Sequence, residues 1–274
     1  MLLIDLDVGV ARIRGDRDVQ MDRFDIKNHY FDEKEDPEFK SSNYEKAFVN
    51  AFKREDQALR STFGALRRGG TTATAALFFS NSNICYIANV GDSTAVLGSI
   101  PGGYKEPAAT TVSYDDKVDN ATEFNRQFCF LRIKWVIDRF VRPLGDFDFK
   151  APFTPSGKDW ISPIPHTQKI DLVPHEDEFL IIASDGKQEQ FTVQVAGFTN
   201  EATLVNCLGL WNVFNEHNVV DEITIFLDRG YSVQQIASVL ANTAAKRGQS
   251  KSDNVTVMLI YFIWDKRLPQ DRLM

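Results

Sequence analysis

The chain has 274 residues, of which 43% are hydrophobic and 25% are charged, and its formal net charge is -7 at pH 7. This length and composition are typical of globular proteins, and we predict a single domain spanning residues 1–274. The acidic balance excludes a broad basic surface for nucleic acid. No stretch is long and apolar enough to span a bilayer. We therefore expect neither nucleic acid nor a membrane among the partners.

The cysteines Cys85, Cys129 and Cys207 are far apart and have no paired spacing, which argues against a zinc site or a disulfide framework. Cys85 lies within an apolar run, where a thiol behaves as a small core residue. The segment Met1–Asp7 breaks its apolar run with acids and lacks the basic residues of a leader peptide. We expect a reducing compartment, the cytoplasm or the nucleus.

The N-terminal part of the chain predicts a strand, a loop and a helix. Residues Leu2 to Ile13 carry short apolar groups that are compatible with a strand. Asp25 to Ser42 is acidic and contains Pro37 as a breaker, which favours a loop. From Asn43 to Phe63, apolar and aromatic side chains recur at helical spacing, and Gly64 follows as a stop signal. This pattern predicts an amphipathic helix.

The middle of the chain predicts strands in close succession. Thr71 to Phe79 and Asn83 to Val90 are β-branched or apolar and are separated by a short polar segment, which predicts a hairpin. Thr94 to Leu97 follows as a third strand, so the three strands indicate an antiparallel meander. Further on we expect a short strand at about Thr110 to Ser113 and a helix from Ala121 onward.

The C-terminal part predicts two more strands and helical segments between them. Phe179 to Ala183 and Val255 to Phe262 are apolar runs of strand length. Ala202 to Phe226 contains a helical pattern, and Val233 to Lys246 places its apolar side chains on one helical face. The elements do not alternate as βαβ units. An α+β architecture, with helices covering the faces of antiparallel sheets, is therefore predicted.

Two acidic residues adjoin these apolar runs. Asp185 follows the strand that ends near Ala183, and Asp253 precedes the strand that begins near Val255. Carboxylates at strand ends supply anionic oxygen ligands on a rigid support, as a hard divalent cation requires. The alternative is that Asp185 lies in an ordinary Ser-Asp-Gly turn and that Asp253 lies in a strand-entry turn.

Several ordered segments carry a recognisable signature. They are Gly69–Ala73, Cys85–Leu97, Arg142–Lys150, Asp177–Gly186 and Ser252–Val257. Together they resemble the metal-dependent type 2C protein serine/threonine phosphatases, and several blocks in order are more specific than one motif. The resemblance implies a central antiparallel β-sandwich with helices on both outer faces, in α-β-β-α layers.

The same resemblance implies a site at one end of the sandwich. There, acids from separate strands hold two Mg²⁺ or Mn²⁺ ions that are bridged by a water, so Asp185 and Asp253 are implied to be metal ligands. Paired cations lower the pKa of the bridging water and neutralise phosphate charge. The implied substrates are phosphoproteins that carry phosphoserine or phosphothreonine, and we expect a monomer.

Three N-terminal residues complete the implied site. The family's glycine-x-arginine block is matched by Gly15–Arg17, which makes Arg17 the candidate phosphate ligand, since a guanidinium fork fits phosphate oxygens. Asp22 follows as an acid near the metals. The family's DGHGG block is absent, and its nearest equivalent is Tyr30–Lys34. Within that segment, Asp32 is either the bridging metal ligand or an acid in a charged loop.

These departures leave three interpretations open. The first is an active phosphatase with Asp185, Asp253 and an N-terminal acid as metal ligands. The second is a catalytically degenerate pseudophosphatase that serves as a binding or regulatory module, which the absent DGHGG block favours. The third is a truncated or incompletely recorded active enzyme. Hydrolysis of a small aryl phosphate with and without Mn²⁺ separates an active enzyme from a degenerate one.

Overall fold

In a computed structural model of the protein, two β-sheets pack face to face, and helices cover the outer face of each sheet. The predicted α+β sandwich with helices on both faces is therefore confirmed. The structure describes residues 2–14, 23–27, 36–63, 69–79, 82–103, 106–114, 142–154, 157–183, 190–197, 201–205, 210–211, 213–247 and 255–265.

The first sheet contains five strands: β1 (Leu3–Ile13), β5 (Thr94–Ser99), β6 (Ala108–Thr111), β9 (Asp177–Ala183) and β12 (Val255–Trp264). Their spatial order is β1-β12-β9-β5-β6, and each neighbouring pair is antiparallel. All five strands were predicted from the sequence. The strand predicted at about Thr110 to Ser113 is displaced by two residues from β6, and the other four differ by one or two residues at an end.

The second sheet contains seven strands: β2 (Arg23–Lys27), β3 (Gly70–Phe78), β4 (Ile84–Val90), β7 (Leu144–Gly145), β8 (His166–Asp171), β10 (Gln190–Gly197) and β11 (Glu201–Val205). The main order is β11-β10-β3-β4-β8, with β2 beside β10 and β7 beside β3. The antiparallel pairing of β3 with β4 confirms the predicted hairpin pair. β10 runs parallel to both β2 and β3.

Four α-helices are described: α1 (Pro37–Lys40), α2 (Tyr44–Phe63), α3 (Glu216–Asp228) and α4 (Val233–Arg247). α2 packs Phe48 and Phe52 against the second sheet, whereas α3 and α4 pack on the first sheet. The helices predicted over 43–63 and 233–246 are confirmed. None of these described helices has the length and apolar character needed to cross a membrane.

Alternation along the strands builds the core between the sheets. In β9, Leu180 and Ile182 face the second sheet, whereas Ile181 and Ala183 face α3 and α4. Both faces of β9 are buried, which explains its nearly continuous apolar sequence. Cys85 is a free thiol within the inter-sheet core, as predicted.

The predicted meander is wrong in its third strand. β5 leaves the β3–β4 pair and joins the first sheet, where it pairs with β9 and β6. The chain crosses between the sheets at Gly91, whose φ is +92°, a conformation that favours glycine. An ideal Cβ at Gly91 would lie 2.1 Å from the methyl carbon of Thr72. The tight crossing therefore requires glycine at this position.

The predicted loop from Asp25 to Ser42 contains part of β2 and all of α1. Pro37 begins α1, because proline suits the first position of a helix. Asp36 caps this helix, since its side chain accepts hydrogen bonds from the N–H groups of Glu38 (2.9 Å) and Phe39 (3.3 Å).

The helix predicted over Ala202 to Phe226 is wrong over residues 202–205, where β11 pairs with β10. α3 begins only after Asn215, whose side chain accepts a hydrogen bond from the N–H of Asn218 at 2.8 Å. Such a cap satisfies an N–H group that has no partner within the helix, and so fixes where the helix begins. The helix predicted from Ala121 lies outside the described residues.

Candidate functional site

One end of the first sheet gathers the termini of four strands. β9 ends at Ala183, which pairs with Val257 near the start of β12 and with Thr94 at the start of β5. On the other side of β12, Val255 pairs with Ile13 at the end of β1. The ends of β1 and β9 are therefore adjacent in space to the starts of β5 and β12.

Three strands of the second sheet begin at the same end of the sandwich. β3 begins at Gly70, and its neighbour β10 runs parallel to it, with Gln190 opposite Thr71. β2 is parallel to β10, with Arg23 opposite Thr192. The short crossing between β4 and β5 connects the two sheets here. β2 and β10 therefore begin at the end of the sandwich where β9 ends.

The interior between the sheets changes from apolar to polar at this end. In β3, the inward-facing residues Ala76 and Phe78 belong to the apolar core, but Thr72 and Thr74 occupy the preceding inward positions. The inward-facing positions of β4, of β12 and of the start of β5 change from apolar to polar in the same way. We call the resulting group the polar end, and its buried residues are Thr72, Thr74, Asn89, Asp92, Ser93 and Thr256. A polar interior suits a site for charged ligands, because buried charge needs hydrogen-bonding groups around it.

The predicted site residues lie outside the described residues, so their positions are known only from the strands that flank them. Asp185 follows the end of β9, and Asp253 precedes the start of β12. Arg17 and Asp22 lie in the sequence between β1 and β2, which have their adjoining termini at the polar end. Asp32 lies between β2 and α1, and no described strand end places it there.

A metal at the polar end depends on these flanking acids. The described part of the chain contains no group of three or more histidine, cysteine, aspartate or glutamate side chains that could hold a metal. Carboxylates are hard oxygen donors, and in the sequence Asp185 and Asp253 adjoin strands whose ends lie at the polar end. That donor chemistry fits Mg²⁺ or Mn²⁺.

A buried ion pair holds β7 against the start of β3. Asp56 of α2 accepts hydrogen bonds at Oδ1 from the Gly145 N–H (2.8 Å) and from Lys150 Nζ (2.6 Å). Lys150 also donates to the carbonyl oxygen of Pro143 at 3.2 Å, and it is only 2% exposed. Gly145 in turn pairs with Gly70. We call Asp56, Gly145 and Lys150 the latch, because they fix β7 beside the polar end.

Asp146 lies between the latch and the start of β3. Its N–H donates to the carbonyl oxygen of Gly69 at 3.0 Å, and its φ of +47° is a left-handed conformation that aspartate tolerates. Burial raises the pKa of Asp146 above its usual value, although the charge of Lys150 opposes this rise. Burial also lowers the pKa of Lys150, and Asp56 opposes that change. The pKa of Asp146 and the pKa of Lys150 therefore each depend on the charge of the other residue.

A second anchor ties the chain after β6 to the second sheet. The side-chain amide of Asn89 donates to the Tyr114 carbonyl oxygen (2.6 Å) and accepts from the Tyr114 N–H (3.0 Å). The Tyr114 ring stacks on His166 at the start of β8, with ring centroids 4.0 Å apart. The polar end thus fixes the point from which the chain continues into residues 115–141.

The sequence patterns indicated neither the latch nor the Asn89 anchor. Asp56 follows Phe48 and Phe52 at intervals of four residues, so it lies on the apolar face of α2. A carboxylate on that face is a signal for a buried partner, because aspartate is almost never fully buried unless it is paired. The partner itself could not be identified, since Lys150 is 94 positions away in the sequence.

Comparisons of sequence associate the chain with one family. The family described as Protein phosphatase 2C matches residues 12–196. Protein phosphatase 2C homolog 2 of Schizosaccharomyces pombe is 27% identical over 251 residues, which cover 86% of this chain and 58% of the relative. Probable protein phosphatase 2C 2 of Oryza sativa is 30% identical over 228 residues, which cover 83% and 52%. The chain spans about half the length of these curated relatives.

Solved structures share the fold. A serine-threonine phosphatase 2C from Toxoplasma gondii superposes with a TM-score of 0.64 and 14% identity, covering 96% of this chain and 98% of that one. A bacterial serine phosphatase gives a TM-score of 0.57 and 15% identity, covering 96% and 100%. At these identities the likeness shows the arrangement of the sheets and helices, and no more than that.

Proposed function

Because the chain belongs to the protein phosphatase 2C family, we propose that it is a metal-dependent protein serine/threonine phosphatase. Its substrates in this proposal are phosphoproteins that carry phosphoserine or phosphothreonine. The observation that carries the proposal is the meeting of β1, β9 and β12 at the polar end. These strands lead directly to the segments that contain the arginine and the acids that such a reaction needs.

In this proposal Asp185 and Asp253 hold divalent metal, and Asp22 or Asp32 completes the ligand set. The pairing of β9 with β12 supports the first two assignments, because it makes the flanking segments neighbours. The start of β2 at the polar end supports Asp22 over Asp32. When bound, Mg²⁺ or Mn²⁺ ions at such a site supply an activated water and neutralise phosphate charge.

Arg17 binds and orients the substrate phosphate in this proposal. A guanidinium group donates two parallel hydrogen bonds to phosphate oxygens and stays charged at all physiological pH values. Arg17 belongs to the segment between Ile13 and Arg23, and both of these flanking residues lie at strand termini of the polar end. The latch and the Asn89 anchor keep the surrounding segments in place.

The test is hydrolysis of a small aryl phosphate by the full chain, with and without Mn²⁺. We expect turnover that depends on Mn²⁺, and we expect Asp185→Asn to lower kcat/KM by more than about 100-fold, because an amide cannot replace an anionic metal ligand. Asp171→Asn is the matched control. Asp171 has an exposed side chain (77%) and pairs with Ile84 at the start of β4, away from the polar end.

The outcomes separate the parts of the proposal. A folded protein without Mn²⁺-dependent turnover would rule out the phosphatase activity. Turnover that survives Asp185→Asn as well as it survives Asp171→Asn would remove Asp185 from the site while leaving the activity. A monomeric state and a location in the cytoplasm or nucleus are also proposals, the latter supported by the free, buried thiol of Cys85.

A further inference from the structure

Three hydroxyl groups at the polar end have no hydrogen-bond partner among the described residues. They are the side-chain oxygens of Thr72, Thr74 and Ser93, and each residue is at most 1% exposed. A buried hydroxyl without a partner costs a sizeable fraction of a protein's small net stability. Three such groups in one place therefore require an explanation.

The three hydroxyls lie close to one another in the fold. Thr72 and Thr74 are two positions apart on β3, so both face the interior between the sheets, at a Cα separation of about 7 Å. Ser93 follows Gly91, and the side chain of Thr72 packs directly on Gly91. Bulk solvent does not reach any of the three groups.

Neighbouring polar residues are already engaged. Asn89 lies opposite Thr74 in the β3–β4 pair, but its side-chain amide bonds to the backbone of Tyr114 at both ends. Asp92, which is also buried at this crossing, has an interaction of its own. Among the described residues, no protein group forms a hydrogen bond with the threonine hydroxyls. The smallest molecule that both donates and accepts hydrogen bonds is water.

We propose that the polar end binds internal water through the hydroxyls of Thr72, Thr74 and Ser93. Each hydroxyl can bond to a water at about 2.8 Å, and one water can bridge two hydroxyl oxygens that lie about 4–5 Å apart. Buried waters make two to four hydrogen bonds to polar groups that otherwise lack partners. This hydration belongs to the fold and does not depend on the proposed phosphatase activity.

The first test is oxygen-17 magnetic relaxation dispersion, which reports long-lived internal water. We expect the double variant Thr72→Val/Thr74→Val to lose at least one long-lived water relative to the unaltered chain. The matched control is Thr224→Val, because Thr224 is also buried but donates to the Val220 carbonyl oxygen at 3.0 Å. A folded double variant with unchanged dispersion overturns the proposal.

The second test is the change in the urea midpoint on substitution. The direction of this change distinguishes hydrated from unsatisfied hydroxyls. If water binds these groups, Thr72→Val and Thr74→Val each lower the midpoint by roughly 0.3–0.5 M. If the hydroxyls are simply unsatisfied, valine raises the midpoint or leaves it unchanged, and the proposal fails. Should a threonine variant not fold, Ser93→Ala is read in both experiments by the same criteria.

Discussion

Among single residues, Lys150 has the most demanding environment, because its ammonium group is buried and bonded to the carboxylate of Asp56. Removing one member of a buried pair leaves the other charge uncompensated. We expect Lys150→Met to lower the free energy of unfolding by about 3–5 kcal/mol, as measured by urea denaturation. The double variant Asp56→Leu/Lys150→Met is expected to lose less than Lys150→Met, since no lone charge remains.

Lys169→Met is the control for this prediction. Lys169 pairs with Asp171 at 3.0 Å, but both side chains are substantially exposed, so the loss should be much smaller than for Lys150→Met. Equal losses for Lys150→Met and Lys169→Met would show that the latch contributes no more than a surface pair.

Asp146 gives the latch region a pH dependence. Its pKa is raised above 3.8, chiefly by burial, so its favourable contribution is complete below that pH and is lost as pH rises through the folded-state pKa. At pH 7 the charge on this partly buried carboxylate therefore lowers stability. Asparagine, like aspartate, tolerates a positive φ. We therefore expect the free energy of unfolding of Asp146→Asn, relative to that of the unaltered chain, to be higher at pH 7 than at pH 4.

Denaturation at the two pH values measures this effect, with Asp7→Asn as a control at an exposed position of β1. The quantity compared is the free energy of unfolding of each variant minus that of the unaltered chain. A difference for Asp146→Asn that does not change between pH 4 and pH 7 contradicts the electrostatic account of this residue.

At the scale of elements, α4 is positioned by its contact with β1. An ideal Cβ at Gly9 would lie 2.4 Å from the backbone carbon and oxygen of Val233, so only glycine permits this approach. The next residue of the helix, Gln234, accepts from the Val10 N–H (3.0 Å) and donates to the Val10 carbonyl oxygen (2.8 Å). These bonds also cover backbone groups on the outer edge of the sheet, where unpaired groups attract other strands.

Gly9→Ala should therefore destabilise the protein by overpacking. We expect a loss of about 1–3 kcal/mol in thermal or urea unfolding, because backbone atoms cannot move aside as a flexible side chain can. Asp7→Ala, at an exposed position of the same strand, should change stability by less than about 0.5 kcal/mol. Similar losses for the two variants would show that the helix tolerates a displacement from β1.

Most elements of the fold could be predicted from local patterns, and the exceptions have physical reasons. The apolar stripe of α2 and the alternation in β3 and β4 are signals within a few residues. The sheet that β5 joins depends on its pairing with β9, more than 80 positions later, so short connections suggested a meander. The start of α3 depends on the cap at Asn215. The helical spacing of apolar residues over 202–226 does not include this cap, so it placed the start of the helix too early.

The candidate site shows the same division between local and distant information. Asp185 and Asp253 stood out in the sequence because each adjoins an apolar run, and the antiparallel pairing of β9 with β12 makes the two strand termini neighbours. The latch and the Asn89 anchor were not predicted. They join side chains to groups that are 25 to 94 positions away, and a single sequence does not reveal such pairs.

At the scale of the whole molecule, the sandwich has an apolar centre and a polar end. The strand termini next to the proposed site segments lie at the polar end, except for the segment that contains Asp32. The chain spans about half the length of its curated relatives, so the activity must be measured on this chain itself. In the proposed site, Asp185 and Asp253 adjoin strands of one sheet, and Asp22 adjoins a strand of the other sheet. Metal binding at the proposed site therefore involves both sheets.

Release of inorganic phosphate from a phosphothreonine peptide tests this account most directly. The full chain is assayed as prepared with Mn²⁺, after chelation with EDTA, and after Mn²⁺ is restored, while circular dichroism confirms that it stays folded. We predict that chelation abolishes phosphate release and that Mn²⁺ restores it. A folded chain that releases no phosphate with Mn²⁺, or that releases it equally well in EDTA, would contradict the metal-dependent phosphatase.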